Sequence, residues 1–307
     1  MSENHQPIQF YHRYRNRMET EKVEGESALR WLYETSTGGI ALSAVARHAW
    51  FSALYGWTKR RPSTAKFVAD YCKEYGIDTS EFLQDADTYP HFAAFFERRL
   101  KPTARPIAEG DDVLVFPADG RHLLIADITP EQTFYAKNQQ WRLHEFLQDN
   151  ALADRYVGGS MLISRLCPVD YHRFHFPCAG EVGEFRKIPG KLYSVNPFAL
   201  RKDLSYLWRN YREVTQLKVA DRNEEIAIVE IGATMVGKIH QTFRAGTYVE
   251  KGDEKGYFAI GGSCVITLFQ KGKVIWDCDL LECGERGIEV YAKMGDQCAR
   301  WADRTRE

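Results

Sequence analysis

From about Ile107 onward the sequence is a succession of short β-rich runs with few helical stretches between them, and this pattern restricts the fold more than any other feature. The runs are Val113 to Phe116, His122 to Ile128, Met161 to Leu166, Ile226 to Ile231, Val265 to Phe269 and Lys273 to Trp276. Asp119-Gly120, Pro189-Gly190, Lys271-Gly272 and Cys283-Gly284 supply turn signals between them. Strand following strand predicts mainly antiparallel sheets rather than βαβ units. The first hundred residues read as helical instead. Ser27 to Thr35 and Ile40 to Trp57 carry apolar residues at helical spacing, and Lys59-Arg60-Arg61 precedes a helix-stopping Pro62. Ser63 is placed to cap a helix through Tyr71 with Gly76 as its stop, and His91 to Leu100 reads as a further short helix before Pro102. The expected fold is α+β: a β-rich body of mainly antiparallel sheets with an N-terminal helical region. Pro102, Pro106 and the change of composition place a boundary near residue 105, separating 1–105 from 106–307.

Charge and cysteine usage narrow the function classes. Lys and Arg total 41 against 42 Asp and Glu, so the net charge of -1 gives no whole-molecule attraction to nucleic acid. There is no apolar run long enough to cross a bilayer, and Met1 to Arg17 lacks the apolar core of a secretory signal. The seven cysteines show no CxxC or CxxxC spacing, so free thiols are expected, with neither a disulfide framework nor a metal site. No GxxxxGK[ST], GxSxG, HExxH or strand-borne GxGxxG occurs, which argues against P-loop nucleotide, serine-hydrolase and zinc-protease chemistry.

Three segments concentrate reactive groups beside Gly or Pro. In Phe116-Pro117-Ala118-Asp119-Gly120 an Asp-Gly pair on its own reads as a hairpin turn. In Asp170-Tyr171-His172-Arg173-Phe174-His175-Phe176-Pro177 the two histidines would point to opposite faces of a regular strand. Gly261-Gly262-Ser263-Cys264 precedes an apolar run, but Gly158-Gly159-Ser160 repeats its first three residues, and a flexible turn is the plain reading of both.

Taken in order, these segments are similar to those of the phosphatidylserine decarboxylase family, in particular its shorter bacterial type with an N-terminal helical extension. The resemblance runs from about Tyr11 to Phe269 and rests on six ordered blocks. These are Phe95-Phe96-Glu97-Arg98-Arg99-Leu100-Lys101-Pro102, Pro117-Ala118-Asp119-Gly120 and Asp170 to Pro177, followed by Ser194-Val195-Asn196, Gly232-Ala233-Thr234-Met235-Val236-Gly237 and Lys251 to Phe258 leading into Gly261-Gly262-Ser263. Only the second Gly-Gly-Ser follows the Lys-Gly-Asp-Glu loop, which selects Ser263 over Ser160. Cys264 stands where the family commonly has Thr, Tyr211 where it has Glu, Phe116 where it has Ser and Asn138 where it has Gly.

The resemblance implies a zymogen that cuts itself between Gly262 and Ser263 into chains 1–262 and 263–307. Asp119, His175 and Ser263 would form the charge relay for this cut, since a serine hydroxyl needs a base within reach and the base needs an acid to orient it. The new terminus at Ser263 would become a covalent pyruvoyl group, forming a Schiff base with the substrate amine and accepting the electrons left by carbon dioxide. His172 is the implied proton donor. The implied substrate is phosphatidylserine and the product phosphatidylethanolamine. The implied partners are an anionic membrane surface and the second cleaved chain, with the order of any higher oligomer left open and no nucleic acid. Ile40 to Trp57, with its basic end, suits a peripheral helix on the cytoplasmic face of the membrane, or else an ordinary helix packed on the core. The competing readings are a pyruvoyl decarboxylase of a soluble, for instance aromatic, amino acid, and an unprocessed lipid-binding relative.

Overall fold

A computed structural model describes residues 7–23, 25–42, 44, 47–129, 142–234, 238–261 and 263–302. Gly262, Asn138 and Met235-Val236-Gly237, all named above, lie outside the described residues. The chain opens with strands β1 (Gln9–His12) and β2 (Arg17–Thr20), then helices α1 (Glu26–Glu34), α2 (Ser36–Ala41), α3 (Ala49–Lys59), α4 (Phe67–Tyr75) and α5 (Phe92–Phe96). Next come β3 (Val113–Val115), β4 (Gly120–Ile125), α6 (Leu143–Leu147), α7 (Asn150–Asp154), β5 (Ser160–Leu166), β6 (Arg173–His175), β7 (Gly180–Ile188), α8 (Pro197–Lys202) and α9 (Tyr206–Arg209). The remainder is β8 (Arg212–Val219), β9 (Glu225–Gly232), β10 (Ile239–Gln241), β11 (Thr247–Val249), β12 (Glu254–Phe258), β13 (Ser263–Phe269), β14 (Val274–Trp276), α10 (Cys278–Glu285), β15 (Glu289–Ala292) and β16 (Gln297–Trp301).

The expected α+β class holds. Ten strands form one sheet in the order β11-β7-β8-β9-β13-β5-β4-β15-β1-β2, and two three-stranded sheets, β10-β12-β6 and β14-β16-β3, accompany it. Every pairing in the large sheet is antiparallel except β1 with β15. Residues alternate between its two faces, so Ile163, Val229 and Ile266 enter one apolar cluster with Phe146 and Leu147 of α6. Leu162, Ile228 and Val265 enter another with Phe174 and Phe258 of the β10-β12-β6 sheet and with Phe176 just after β6. A third cluster joins α4 and α5 to Ile260, three residues before Ser263.

Several local expectations differ. The first hundred residues are not wholly helical, because β1 and β2 form an edge hairpin of the large sheet. Asp119-Gly120 is not a hairpin turn either: β3 pairs with β16 and β4 with β5 and β15, so this turn carries the chain between sheets. Ile40 to Trp57 is broken, with α2 ending at Ala41 and His48 extended before α3. At the break the Arg47 carbonyl accepts from the Leu192 amide at 3.1 Å, a tertiary contact that overrides helical periodicity. Ser63 lies in a 3₁₀ turn instead of capping α4, although Gly76 ends that helix in the left-handed conformation as expected.

Candidate active site

Ser263 begins β13, paired with Leu166 of β5 on one side and Gly232 of β9 on the other. This central position buries it completely, and its hydroxyl has no hydrogen-bond partner among the described residues. Ser160 provides the contrast. It stands at the opposite end of the same strand pair, across from Phe269, and its hydroxyl accepts from Trp276 Nε1 at 3.1 Å. Of the two Gly-Gly-Ser serines, one is satisfied and one is uncommitted. Before Ser263 the backbone passes through Gly261 at φ +131°, a conformation that side chains disfavour, so glycine is required there.

The two histidines flank β6. His172 donates from Nδ1 to the Asp170 carbonyl at 3.0 Å, and His175 donates from Nδ1 to the Gly252 carbonyl at 3.0 Å. A carbonyl can only accept, so both rings carry their proton on Nδ1 and present a bare Nε2 lone pair. Both Nε2 atoms are buried without a partner. Leaving a buried polar atom unsatisfied costs about 1–3 kcal/mol, and three of the buried unpartnered atoms lie on the segments singled out by sequence, which makes these segments the candidate site.

The Asp170 to His175 stretch is held by buried ion pairs. Arg121 Nη1 donates to both carboxylate oxygens of Asp170 at 2.8 and 2.7 Å, and the Cys167 amide donates to one of them at 2.7 Å. Arg173 binds Glu254 at 2.8 Å and the carbonyls of Glu97 and Arg98. Arg98 Nη2 donates to the carbonyls of Val169 and Asp170 at 3.1 and 3.0 Å. Phe96 stacks on the His172 ring with centroids 3.8 Å apart. The block from Phe95 to Pro102 therefore serves the histidine loop directly.

Burial, reinforced by the nearby Arg98 cation, lowers the proton affinity of His172 to a pKa of about 3. The Asp170 and Gly261 carbonyls oppose that shift, which places His172 beside the segment leading to Ser263; the Gly261 carbonyl makes no hydrogen bond of regular geometry with Nε2. His175 is also lowered by burial, with the Gly252 carbonyl and the charges of Glu254 and Asp119 working against it.

Asp119 is close enough to act on His175 electrostatically but makes no hydrogen bond to it. Its carboxylate accepts instead from Arg105, at 2.9 and 3.0 Å from Nε and 2.5 Å from Nη2, and from the Met294 amide at 2.9 Å. The structure thus brings His172 to the Gly261 segment and His175 to the Asp119 loop. No described hydrogen bond joins Ser263 to either ring. Tyr211, in the position where the family has Glu, donates to Glu213 at 2.5 Å, and its carbonyl accepts from the Gly232 amide opposite Ser263. Asn210 and Arg212 beside it are structural. Asn210 clamps the Tyr193 backbone at 2.7 and 2.9 Å, and Arg212 binds the carbonyls of Glu145, Phe146 and Asn210.

Sequence reasoning missed Arg105 and the Gly252 carbonyl. A backbone acceptor leaves no mark in a sequence, and Arg105 was legible only as part of a presumed connecting segment.

Ser263, His172 and His175 are thus buried together within an α+β body of mainly antiparallel sheets. The phosphatidylserine decarboxylase description matches residues 92–300. The phosphatidylserine decarboxylase proenzyme of Chlamydia trachomatis is 39% identical over 291 residues, covering 95% of this chain and 96% of the relative. That of Fusobacterium nucleatum is 40% identical over 294 residues, covering 96% and 98%. That of Chlamydia caviae is 38% identical over 293 residues, covering 95% and 98%. The chain belongs to the phosphatidylserine decarboxylase family.

The family is pyruvoyl-dependent, and the residues present fit that covalent group. The serine it would be made from is wholly buried with an uncommitted hydroxyl, on a segment flanked by a histidine with a bare ring nitrogen.

Proposed function

We propose that this chain is a precursor that cleaves itself between Gly262 and Ser263, and that the matured protein decarboxylates phosphatidylserine to phosphatidylethanolamine and carbon dioxide. The observation that carries the reading is the buried, unpartnered Ser263 hydroxyl on the segment that matches the family's processed serine. His175 Nε2 takes the hydroxyl proton, and the Ser263 oxygen attacks the Gly262 carbonyl. The peptide C–N bond breaks, an ester forms, and the amine of residue 263 is freed. Elimination then removes the Cα proton of residue 263 to a base and breaks its Cβ–O bond, forming the Cα=Cβ double bond and releasing 1–262 with a carboxylate at Gly262. The dehydroalanine left at 263 takes up water and loses ammonia, leaving a keto cap on 263–307. The Asp119 charge stabilises the imidazolium formed on His175.

Once formed, the group supplies a ketone that condenses with the substrate amine and takes up the electron pair left when carbon dioxide departs. His172 would deliver a proton to the developing carbanion from Nε2. Burial and Arg98 keep His172 neutral in the precursor, so Nε2 must take up that proton in the matured site before delivering it.

A membrane surface is the proposed source of substrate, on its cytoplasmic face, with the protein peripheral. Among the described residues no helix is long and apolar enough to cross a membrane. Helix α3 supports the peripheral reading. Trp50, Leu54 and Trp57, at spacings of four and three, are 56%, 52% and 57% exposed, and Lys59, Arg60 and Arg61 follow them. The inner side of the same helix lies against the cleavage segment, with Gly56 backing onto Ile260.

The test is decarboxylation by matured protein of phosphatidylserine in vesicles against free serine and free aromatic amino acids. Carbon dioxide release from the lipid alone is expected; release from a free amino acid alone would overturn the substrate assignment.

A further inference from the structure

We propose that Arg105 is a positioning residue for self-cleavage, the brace that keeps the Asp119 carboxylate where its charge acts on His175. The inference rests on the self-cleaving reading above and deepens it.

Both carboxylate oxygens of Asp119 are committed to Arg105, and one of them also to the Met294 amide. The remaining donor arm of Arg105, Nη1, binds Glu81 at 2.9 Å and its own neighbour's carbonyl, Ala104, at 2.7 Å. Glu81 accepts in turn from Lys293 at 2.9 Å. Asp119 and Arg105 are both largely buried, so this fork is charge-assisted and weakly screened.

The division of labour around His175 then differs from a hydrogen-bonded triad. The Gly252 carbonyl orients the ring and fixes its tautomer, while Asp119 contributes charge without contact. A charge acting without contact depends on whatever holds it in place, and here that is chiefly Arg105, which binds both oxygens, with the Met294 amide on one of them. The following residues brace the other half of the arrangement. Gly252 has φ +86°, and a Cβ there would lie 2.6 Å from Ile107 Cδ1, so the loop carrying the orienting carbonyl is seated on Ile107. The Ala108 amide donates to the Gly295 carbonyl at 2.8 Å, fastening the turn that supplies Met294. Residues 105–108 thus secure the orienting carbonyl, the charge and the turn between β15 and β16 together.

Arg105, Asp119, Glu81 and Lys293 line a cavity of about 570 Å³, so a small cation added in solution has a route to the carboxylate. The experiment follows self-cleavage of freshly synthesised precursor for wild type, Arg105→Lys and Arg105→Ala, with and without millimolar guanidinium. Losing the charge-assisted fork, Arg105→Ala should cleave at least about tenfold more slowly. Guanidinium should restore part of that rate, and Arg105→Lys, which keeps the charge but loses the fork, should fall between the two. A folded Arg105→Ala protein that cleaves at the wild-type rate overturns the proposal. So does slow cleavage that guanidinium leaves unchanged, since a purely structural ion pair would behave that way. If Arg105→Ala fails to fold, Arg105→Lys decides, and a wild-type rate in it also overturns the proposal. Ser263→Ala, run in parallel, must stay whole; cleavage in that variant would reject the self-cleaving reading itself rather than the part given to Arg105.

Discussion

His175 must be neutral at Nε2 to take the Ser263 proton, and its surroundings favour that state. Burial lowers its pKa below the ordinary 6.5, and the carboxylates of Glu254 and Asp119 offset the shift only in part. Protonation, which removes the base, therefore sets in only below the usual histidine range. The self-cleavage rate should be level through neutral pH and fall on acidification, with its midpoint under 6.5. A pH-jump time course on isolated precursor measures this, and an acid limb centred above 6.5 would contradict it. At this scale much of the site was legible. The Lys-Gly-Asp-Glu loop separated Ser263 from Ser160, and the structure gives those two hydroxyls opposite hydrogen-bond states. The odd spacing of His172 and His175, which on a regular strand would place them on opposite faces, coincides with a three-residue strand that begins only at Arg173. The partners of Asp119 and His175 were not legible, because one is a backbone carbonyl and the other an arginine with no motif of its own.

Helix α3 has both an inner side on the core and an exposed apolar row, so the two expectations for it do not exclude each other. Phe51 packs against the core and Tyr55 against the cluster that includes Ile260, while Trp50, Leu54 and Trp57 face outward. Replacing Trp50, Leu54 and Trp57 with Ser should abolish flotation with anionic vesicles while leaving the melting temperature nearly unchanged, since exposed side chains contribute little to folding. Unchanged flotation would remove the membrane role from this helix. Phe51 belongs outside that set, because truncating it perturbs the core. The short strands flanking the site were harder to read than the helices. β6, β10 and β11 have three residues each, too few for alternation to register, and β7 bears polar residues along much of its length. The six runs read as strands were those of mostly apolar character, and all six correspond to strands in the structure.

Across the whole molecule, residues 263–302 are woven into the rest. β13 lies between β9 and β5, β15 between β4 and β1, and β16 between β14 and β3. Arg165 of β5 binds Glu289 of β15 at 3.0 and 2.6 Å, and it also binds Glu21, which follows the opening hairpin, at 3.2 and 2.6 Å. A single cut before Ser263 would therefore leave both pieces locked in shared sheets, separable only by unfolding. Mass spectrometry of the purified protein, first native and then denaturing, tests the central claim most directly. The account predicts one native species that resolves under denaturation into 1–262 and a 263–307 chain lighter by one ammonia than its serine-started sequence, with Ser263→Ala remaining a single chain. An active protein whose 263–307 chain kept a free amino terminus, or that was never cut at all, would contradict it.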